Sequence, residues 1–205
     1  MKIDLHVHAS ERSGCASSGE ESMIRAAIDR GLSGMAFTDH GTLVPAERLT
    51  ELREKFAPFK IYTGIEVNAD EEDLLVLGVH APELEVNPWN YMKLRRFVTQ
   101  RGGFLVLAHP CRYHLSIGPA LLVDPPDAHE VDSVNMVDCP AQLVHELTSR
   151  LGSLPMKNSD AHAADAVGRF YNRFEHLPAD DADLVGMLKA GQFRPCEGSE
   201  CEARR

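Results

Sequence analysis

The stretch KIDLHVH, residues 2–8, sets apolar Ile3, Leu5 and Val7 against Asp4, His6 and His8. A period of two predicts a strand with one face that packs and one that carries polar groups. Taken alone, an H-x-H is weak, because 10 His in 205 residues give about 0.5 chance occurrences. Its position is what counts: the pair closes an apolar run, and the same arrangement recurs along the chain. Residues 34–37 run into Asp39 and His40, 60–65 into Glu66, 74–79 into His80, 103–108 into His109, and 153–159 into Asp160 and His162.

Between these runs lie segments with apolar residues three or four apart, such as Met23, Ile24, Ala27 and Ile28, or Leu184, Val185 and Leu188. They predict helices there and over 46–56, 89–100 and 141–151, with Pro88 and Pro140 near starts and Gly102 and Gly152 near ends. With a further strand over 130–137, about seven strands alternate with helices, which argues for parallel strands and right-handed crossovers. An open sheet binds at one switch point, whereas closure brings six strand ends around one cavity. The expectation is therefore an α/β fold, a distorted (β/α)7 barrel with a metal site at its C-terminal rim. The imidazoles and carboxylates of His6, His8, His40, Glu66, His80, His109, Asp160 and His162 suit two or three divalent transition ions better than calcium or a structural cysteine site.

Composition sets limits. With 21 Lys+Arg against 31 Asp+Glu and net charge −10, no extended nucleic-acid surface is expected, since such affinity comes from phosphate neutralisation. No run of 18 apolar residues occurs and the chain opens directly into a strand, so neither a membrane span nor a secretory signal is expected, and the location is read as cytoplasmic. Cys15, Cys111, Cys139, Cys196 and Cys201 contain no C-x-x-C pair and are read as reduced thiols. Residues 1–194 are read as one domain and 195–205 as a polar tail that frays. His129, His145 and His176 lack partner motifs and are read as ordinary histidines.

The ordered set H-x-H, T-D-H, G-I-E, G-V-H, A-H-P and S-D-A-H resembles the polymerase and histidinol phosphatase (PHP) superfamily of metal-dependent phosphoesterases over nearly the whole chain. The resemblance implies a distorted seven-stranded barrel and up to three ions, zinc, manganese or iron. Residue by residue, it implies one ion on His6, His8, Glu66 and Asp160, a second on Glu66, His80 and His109 with Glu66 bridging, and a third on His40 and His162. Two positions depart from the pattern. The loop after H-x-H reads Ser13-Gly14-Cys15 where the family offers His or Asp, leaving Cys15 as a reserve ligand. Some relatives place a ligand near the start of the fourth strand, where Asp73 stands, so Asp73 is the reserve for His80.

The implied chemistry is hydrolysis of a phosphate ester by a metal-activated water. Asp160, His40 and His162 form the catalytic group, either imidazole, where not taken by a third ion, serving to protonate the leaving alkoxide, while Asp4 and Asp39 are expected to orient ligand imidazoles. Arg112 and His114 after Pro110, and Arg169 after S-D-A-H, are candidates to hold a substrate phosphate. A phosphomonoesterase acting on a small phosphorylated metabolite is preferred, because residues 81–102 leave no room for an inserted helical cap. The alternatives are a phosphodiesterase or exonuclease on nucleotides or short oligonucleotides, and a metal-depleted binding module. An amidohydrolase-like site would add a bridging lysine, but Lys60 stands at the start of its strand.

Overall fold

The alternation of strands and helices becomes, in the computed structural model, a nine-stranded mixed sheet; residues 1–86, 88–113 and 115–198 are described. The strands are β1 (Lys2–Val7), β2 (Gly34–Phe37), β3 (Lys60–Ala69), β4 (Glu72–Leu77), β5 (Phe104–Leu107), β6 (Ala128–Asp132), β7 (Leu154–Lys157), β8 (Phe170–Phe174) and β9 (Phe193–Glu197). The helices are α1 (Glu20–Asp29), α2 (Ala46–Lys55), α3 (Tyr91–Gln100), α4 (Pro119–Val123), α5 (Ala141–Thr148) and α6 (Asp181–Lys189). The sheet order is β7-β6-β5-β4-β3-β2-β1-β8-β9. Its two ends approach each other where β7 lies against β8 and β9, so the expected α/β barrel is present in nearly closed form.

A side chain makes the closing contact. Buried Asn172 of β8 donates from Nδ2 to the Lys157 carbonyl at 2.9 Å and to Asn158 Oδ1 at 2.8 Å, and its Oδ1 accepts from the Lys157 amide at 3.3 Å. Asn158 Oδ1 in turn accepts from the Leu5 amide at 3.2 Å, which ties the end of β7 to β1. These bonds satisfy backbone groups that a barrel seam without a continuous ladder would leave unpaired.

Two features differ from seven parallel strands. β3 and β4 form an antiparallel hairpin, and β5 is antiparallel to β4. At the other flank, β8 and β9 add an antiparallel pair next to β1. β9 continues through Glu197, three residues into the stretch expected to fray; residues 199–205 lie outside the described ones. Of the cysteines, Cys15, Cys111 and Cys139 are free as expected, whereas Cys196 is disulfide-bonded.

The interior is sorted by height. Ile3, Leu5, Tyr62, Leu75, Leu77, Phe104, Val106 and Met156 form one buried cluster with Leu184, Val185 and Leu188 of α6. Each such Leu or Phe contributes roughly 1.5–3 kcal/mol by leaving water. α6 closes this end, with its Val185 so near Gly78 (φ +75°) that any Cβ there would collide. β4 is apolar on both faces because its outer face, with Leu74 and Val76, packs under α3 through Leu94 and Val98. The polar side chains gather at the opposite end, where the parallel strands finish.

Candidate metal centre

β1 delivers the first two imidazoles, but not by strict alternation. A bulge between Asp4 and Val7 in its pairing with β2 breaks the period of two, so Asp4 does not share a site with His6 and His8. Instead, the Asp4 carboxylate accepts bonds from the Ser159 amide (3.1 Å), the Ser159 hydroxyl and the Gly168 amide (2.9 Å), holding the S-D-A-H segment against β1. Burial pushes its carboxyl up to about 6, against the opposing pull of those bonds. Asp39 likewise accepts from the Ala9 amide (2.7 Å), Ser13 Oγ (2.7 Å) and Arg12 Nε (2.7 Å), fixing the loop after β1. The expectation that Asp4 and Asp39 orient imidazoles is corrected: both hold loops. Among the described residues, Ser13 Oγ, 3.4 Å from His8 Nδ1, is the link from Asp39 to a ring.

The residue that orients a ring is Glu130 of β6, which the sequence reading missed. Wholly buried, it lies 2.9 Å from His6 Nδ1 through Oε1 and accepts from the His109 amide at 2.8 Å through Oε2. Nδ1–H donation to Glu130 leaves the His6 Nε2 lone pair directed at Glu66 Oε2 (3.5 Å) and Asp160 Oδ1 (3.3 Å).

Around that nitrogen the remaining groups converge. Glu66 Oε1 is 3.0 Å from His109 Nε2, and Glu66 Oε2 is 3.4 Å from His8 Nε2. His40 Nδ1 lies 2.8 Å from Glu66 Oε2 but out of line for a hydrogen bond, so that oxygen remains unsatisfied. Asp160 Oδ1 is 3.2 Å from His8 Nε2, while Oδ2 accepts from Arg112 Nη1 (3.0 Å) and Asn135 Nδ2 (2.8 Å). The His8 ring stacks between His40 and His162 with centroid separations of 4.4 and 4.2 Å.

Four ligand-type groups result, each with its donor atoms within 4.8 Å of one another: His6–His8–Glu66, His6–His109–Asp160, Glu66–Asp73–His109 and His8–His40–His162. The donors fit divalent transition ions on two observations. His6 Nε2 and Glu66 Oε2 are buried without hydrogen-bond partners, a costly condition that a cation would relieve. The carboxylates also crowd one imidazole: burial would lower the His6 pKa, yet Asp160, Glu130 and Glu66 hold it well above the usual range. Burial would raise Glu66, and His6, His109 and His40 hold it well below. His8, dominated by burial, falls to about 4 and stays neutral. Positive charge is wanted at the centre, and His8 offers it a neutral nitrogen lone pair.

Backbone strain collects at the same place. His109 (φ +26°), Cys111 (φ +80°) and Asp160 (φ +50°) occupy the left-handed region without being glycine, each costing about 1–3 kcal/mol. Glu130 on the His109 amide and Asn135 Nδ2 on the Asp160 carbonyl (2.9 Å) hold two of them in place.

Of the expected ligands, His6, His8, His40, Glu66, His109, Asp160 and His162 come together, and His80 does not. Because β4 runs antiparallel to β3, its end points away from the cluster; His80 is exposed and its Nε2 lies 2.9 Å from the Val44 carbonyl. The start of β4 lies at the cluster instead, with Asn68 opposite Asp73, and Asp73 Oδ2 is 4.0 Å from His109 Nε2. Cys15 is exposed and joins none of the groups among the described residues. Arg169 is exposed, and among the described residues no side-chain bond links it to the cluster; His114 lies outside the described residues. Asp73→Asn is expected to lower metal content and to reduce turnover by 10-fold or more, whereas His80→Ala leaves both within a factor of two. Parallel metal analysis and kinetics check this, and the reverse ranking would restore His80.

A family model of the PHP domain matches residues 4–122, more than half of the chain. The chain belongs to the PHP domain family. A second model, described as PHP-associated, matches residues 143–193 of this PHP protein. A protein of Syntrophotalea carbinolica named a probable phosphatase is 26% identical over 216 residues, covering 87% of both chains. Among solved structures, a Bifidobacterium adolescentis protein assigned as a metal-dependent phosphoesterase aligns with TM-score 0.63 at 15% identity, covering 91% of this chain and 95% of that one. The lesion-specific endonuclease EndoQ of Pyrococcus furiosus aligns with TM-score 0.69 at 15% identity, covering 95% of this chain but 57% of its own. These structural likenesses support the barrel of the PHP fold.

Proposed function

We propose that this PHP-domain protein is a metal-dependent phosphoesterase, and specifically a phosphomonoesterase acting on a small phosphorylated metabolite. The observation that carries the reading is a shared carboxylate: Glu66, whose two oxygens reach His109 on one side and the His6–His8 pair on the other, belongs to two of the four groups. Shared ligands put neighbouring ions side by side, as a phosphoryl group needs. We assign His6, His8, Glu66 and Asp160 to one ion, Glu66, His109 and Asp73 to a second, and His40 and His162 to a third held by imidazoles alone.

When bound, divalent ions supply an acidified water and positive charge against the phosphoryl oxygens. The chain supplies the rest. Arg112 spends one of its five N–H donors on Asp160 and keeps others for a phosphate oxygen. Where no third ion is bound, His40, its side chain 45% exposed against 0% for His6 and His8, is the imidazole best placed to exchange a proton with solvent and pass it to the leaving alkoxide. Among the described residues, 81–102 hold a 3₁₀ turn (Pro82–Glu85) and α3 and no inserted helical cap. Among the described residues no helix is long and apolar enough to cross a membrane.

The test is metal analysis of protein purified without chelators, followed by assay on phosphomonoesters and dinucleotides with zinc, manganese and iron(II). At least two ions per chain and faster turnover of monoesters are expected. Turnover confined to dinucleotides would replace the monoesterase reading with the diesterase one, and fewer than two ions would remove the multinuclear centre.

A further inference from the structure

Cys111 and Cys139 are far apart in sequence and meet in space. Cys111 follows Pro110 in the turn after β5, and Cys139 lies in the loop between β6 and α5. Both are free and half-buried, whereas Cys15, the other free cysteine among the described residues, is exposed. The Cys139 thiol hydrogen-bonds to Cys111. Burial first and that bond second push the Cys139 thiol up to about 11, which makes it the donor of the pair.

The contacts around Asp160 bring the same two loops together independently of the sulfurs. Arg112, next to Cys111, and Asn135, in the Cys139 loop, donate to one oxygen, Asp160 Oδ2, at 3.0 and 2.8 Å. Asn135 Nδ2 also reaches the Asp160 carbonyl at 2.9 Å, and the Cys139 amide donates to the carbonyl of buried Met136 at 2.9 Å. Asp160 is therefore gripped from both loops, and each loop carries a thiol. The backbone adds a further observation: Cys111 sits at φ +80°, where glycine would be unstrained. A side chain kept at such a position is held there by its surroundings, a condition that collects at functional sites.

We propose that Cys111 and Cys139 are a reversible dithiol–disulfide site, whose oxidised form fastens together the two loops that hold Asp160. The oxidant is hydrogen peroxide. One cysteine, as thiolate, takes an oxygen from it and becomes a sulfenic acid, releasing hydroxide that takes up the proton this cysteine lost. The other thiol attacks that sulfur, forming the S–S bond and expelling water, so two thiols and one peroxide give one disulfide and two waters. Neither cysteine lies in a strand or helix, so the loops can supply the approach that a disulfide's geometry demands. An ion leaves Asp160 more readily when the two loops part, and a covalent tie removes freedom from that opened state. The effect on ion release rests on the assignment of Asp160 as a ligand; the disulfide does not.

The test is to treat reduced, zinc-loaded wild type with hydrogen peroxide. Non-reducing tryptic mass mapping should join peptide 102–112, which holds Cys111, to peptide 113–150, which holds Cys139, and dithiothreitol should separate them. Transfer of zinc to a chromophoric chelator should be about 3-fold or more slower from oxidised than from reduced wild type, and equal for the two treatments of Cys139→Ser. Cys111 joined to Cys15 instead, or oxidised to sulfinic acid while Cys139 keeps its thiol, would overturn the site. A linked pair with unchanged zinc transfer would overturn its hold on Asp160. Because linkage is read by mass in the wild type, neither a poorly folded variant nor failure of the phosphoesterase reading would obscure it.

Discussion

Glu66→Gln is expected to lower kcat/KM by at least about 10³-fold, corresponding to roughly 4 kcal/mol of lost transition-state stabilisation, and to at least halve the metal content. The change is isosteric, so the effect is chemical. In the wild type, Glu66 Oε1 meets His109 Nε2 at 3.0 Å, and Oε2 lies within 3.5 Å of His6, His8 and His40 nitrogens. An amide exchanges one of those acceptors for an NH₂ donor and removes the charge that two ligand groups share. The control is His145→Ala, since His145 is exposed on α5 and away from the cluster; its activity should stay within a factor of two. Elemental analysis and steady-state kinetics on the two variants decide the matter: similar behaviour would mean that Glu66 does not hold the ions.

Seven of the eight candidate ligand residues come together because each lies at the end of an apolar strand or just past it, where the parallel strands finish on one side of the barrel. The eighth failed on direction. Leu74–Leu75–Val76–Leu77 reads the same whichever way the strand runs, and the turn that reverses it, Asp70-Glu71, has no glycine to announce it although both residues adopt positive φ (52° and 71°). Type I′ hairpins are normally signalled by Asn-Gly or Asp-Gly, so the sequence carries no sign of the reversal that puts Asp73 rather than His80 beside the cluster. β8 and β9 were missed for a related reason. Phe170–Phe174 and Phe193–Glu197 mix charges with aromatics, and the second holds Pro195, which demotes a run to an edge or to no strand. Such strands owe their existence to pairing with each other and with β1, a tertiary cause that local periodicity does not carry. Gly64 shows the converse: a Cβ there would lie 2.9 Å from the Phe37 carbonyl, so the glycine lets β3 approach β2 just before Glu66, but a glycine inside an apolar run says nothing of which neighbour comes close.

Glu130 is where the sequence held a signal that went unread: an acid two residues after Ala128, on the inward face of a strand whose next position, Val131, is apolar. A carboxylate with no exposed surface must be paired, and here three donors converge on it: His6 Nδ1–H at 2.9 Å, Asn158 Nδ2 at 2.8 Å and the strained His109 amide at 2.8 Å. Through Asn158 it also supports the Asn172 seam that closes the barrel. Two substitutions separate these roles. Glu130→Ala leaves all three donors buried without an acceptor and is expected to cost about 3–5 kcal/mol of stability, read as a lower denaturant midpoint with unchanged slope. Glu130→Gln keeps one acceptor oxygen and nearly the same volume, so the fold should survive. Its NH₂ group, however, must face either His6 or the His109 amide, which frees the His6 ring to rotate. Metal affinity should then fall 10–100-fold, measured by competition with a chromophoric chelator. If Glu130→Ala stays within 1 kcal/mol of wild type, the buried carboxylate is not a structural keystone; if Glu130→Gln binds metal normally, His6 is oriented by something other than Glu130.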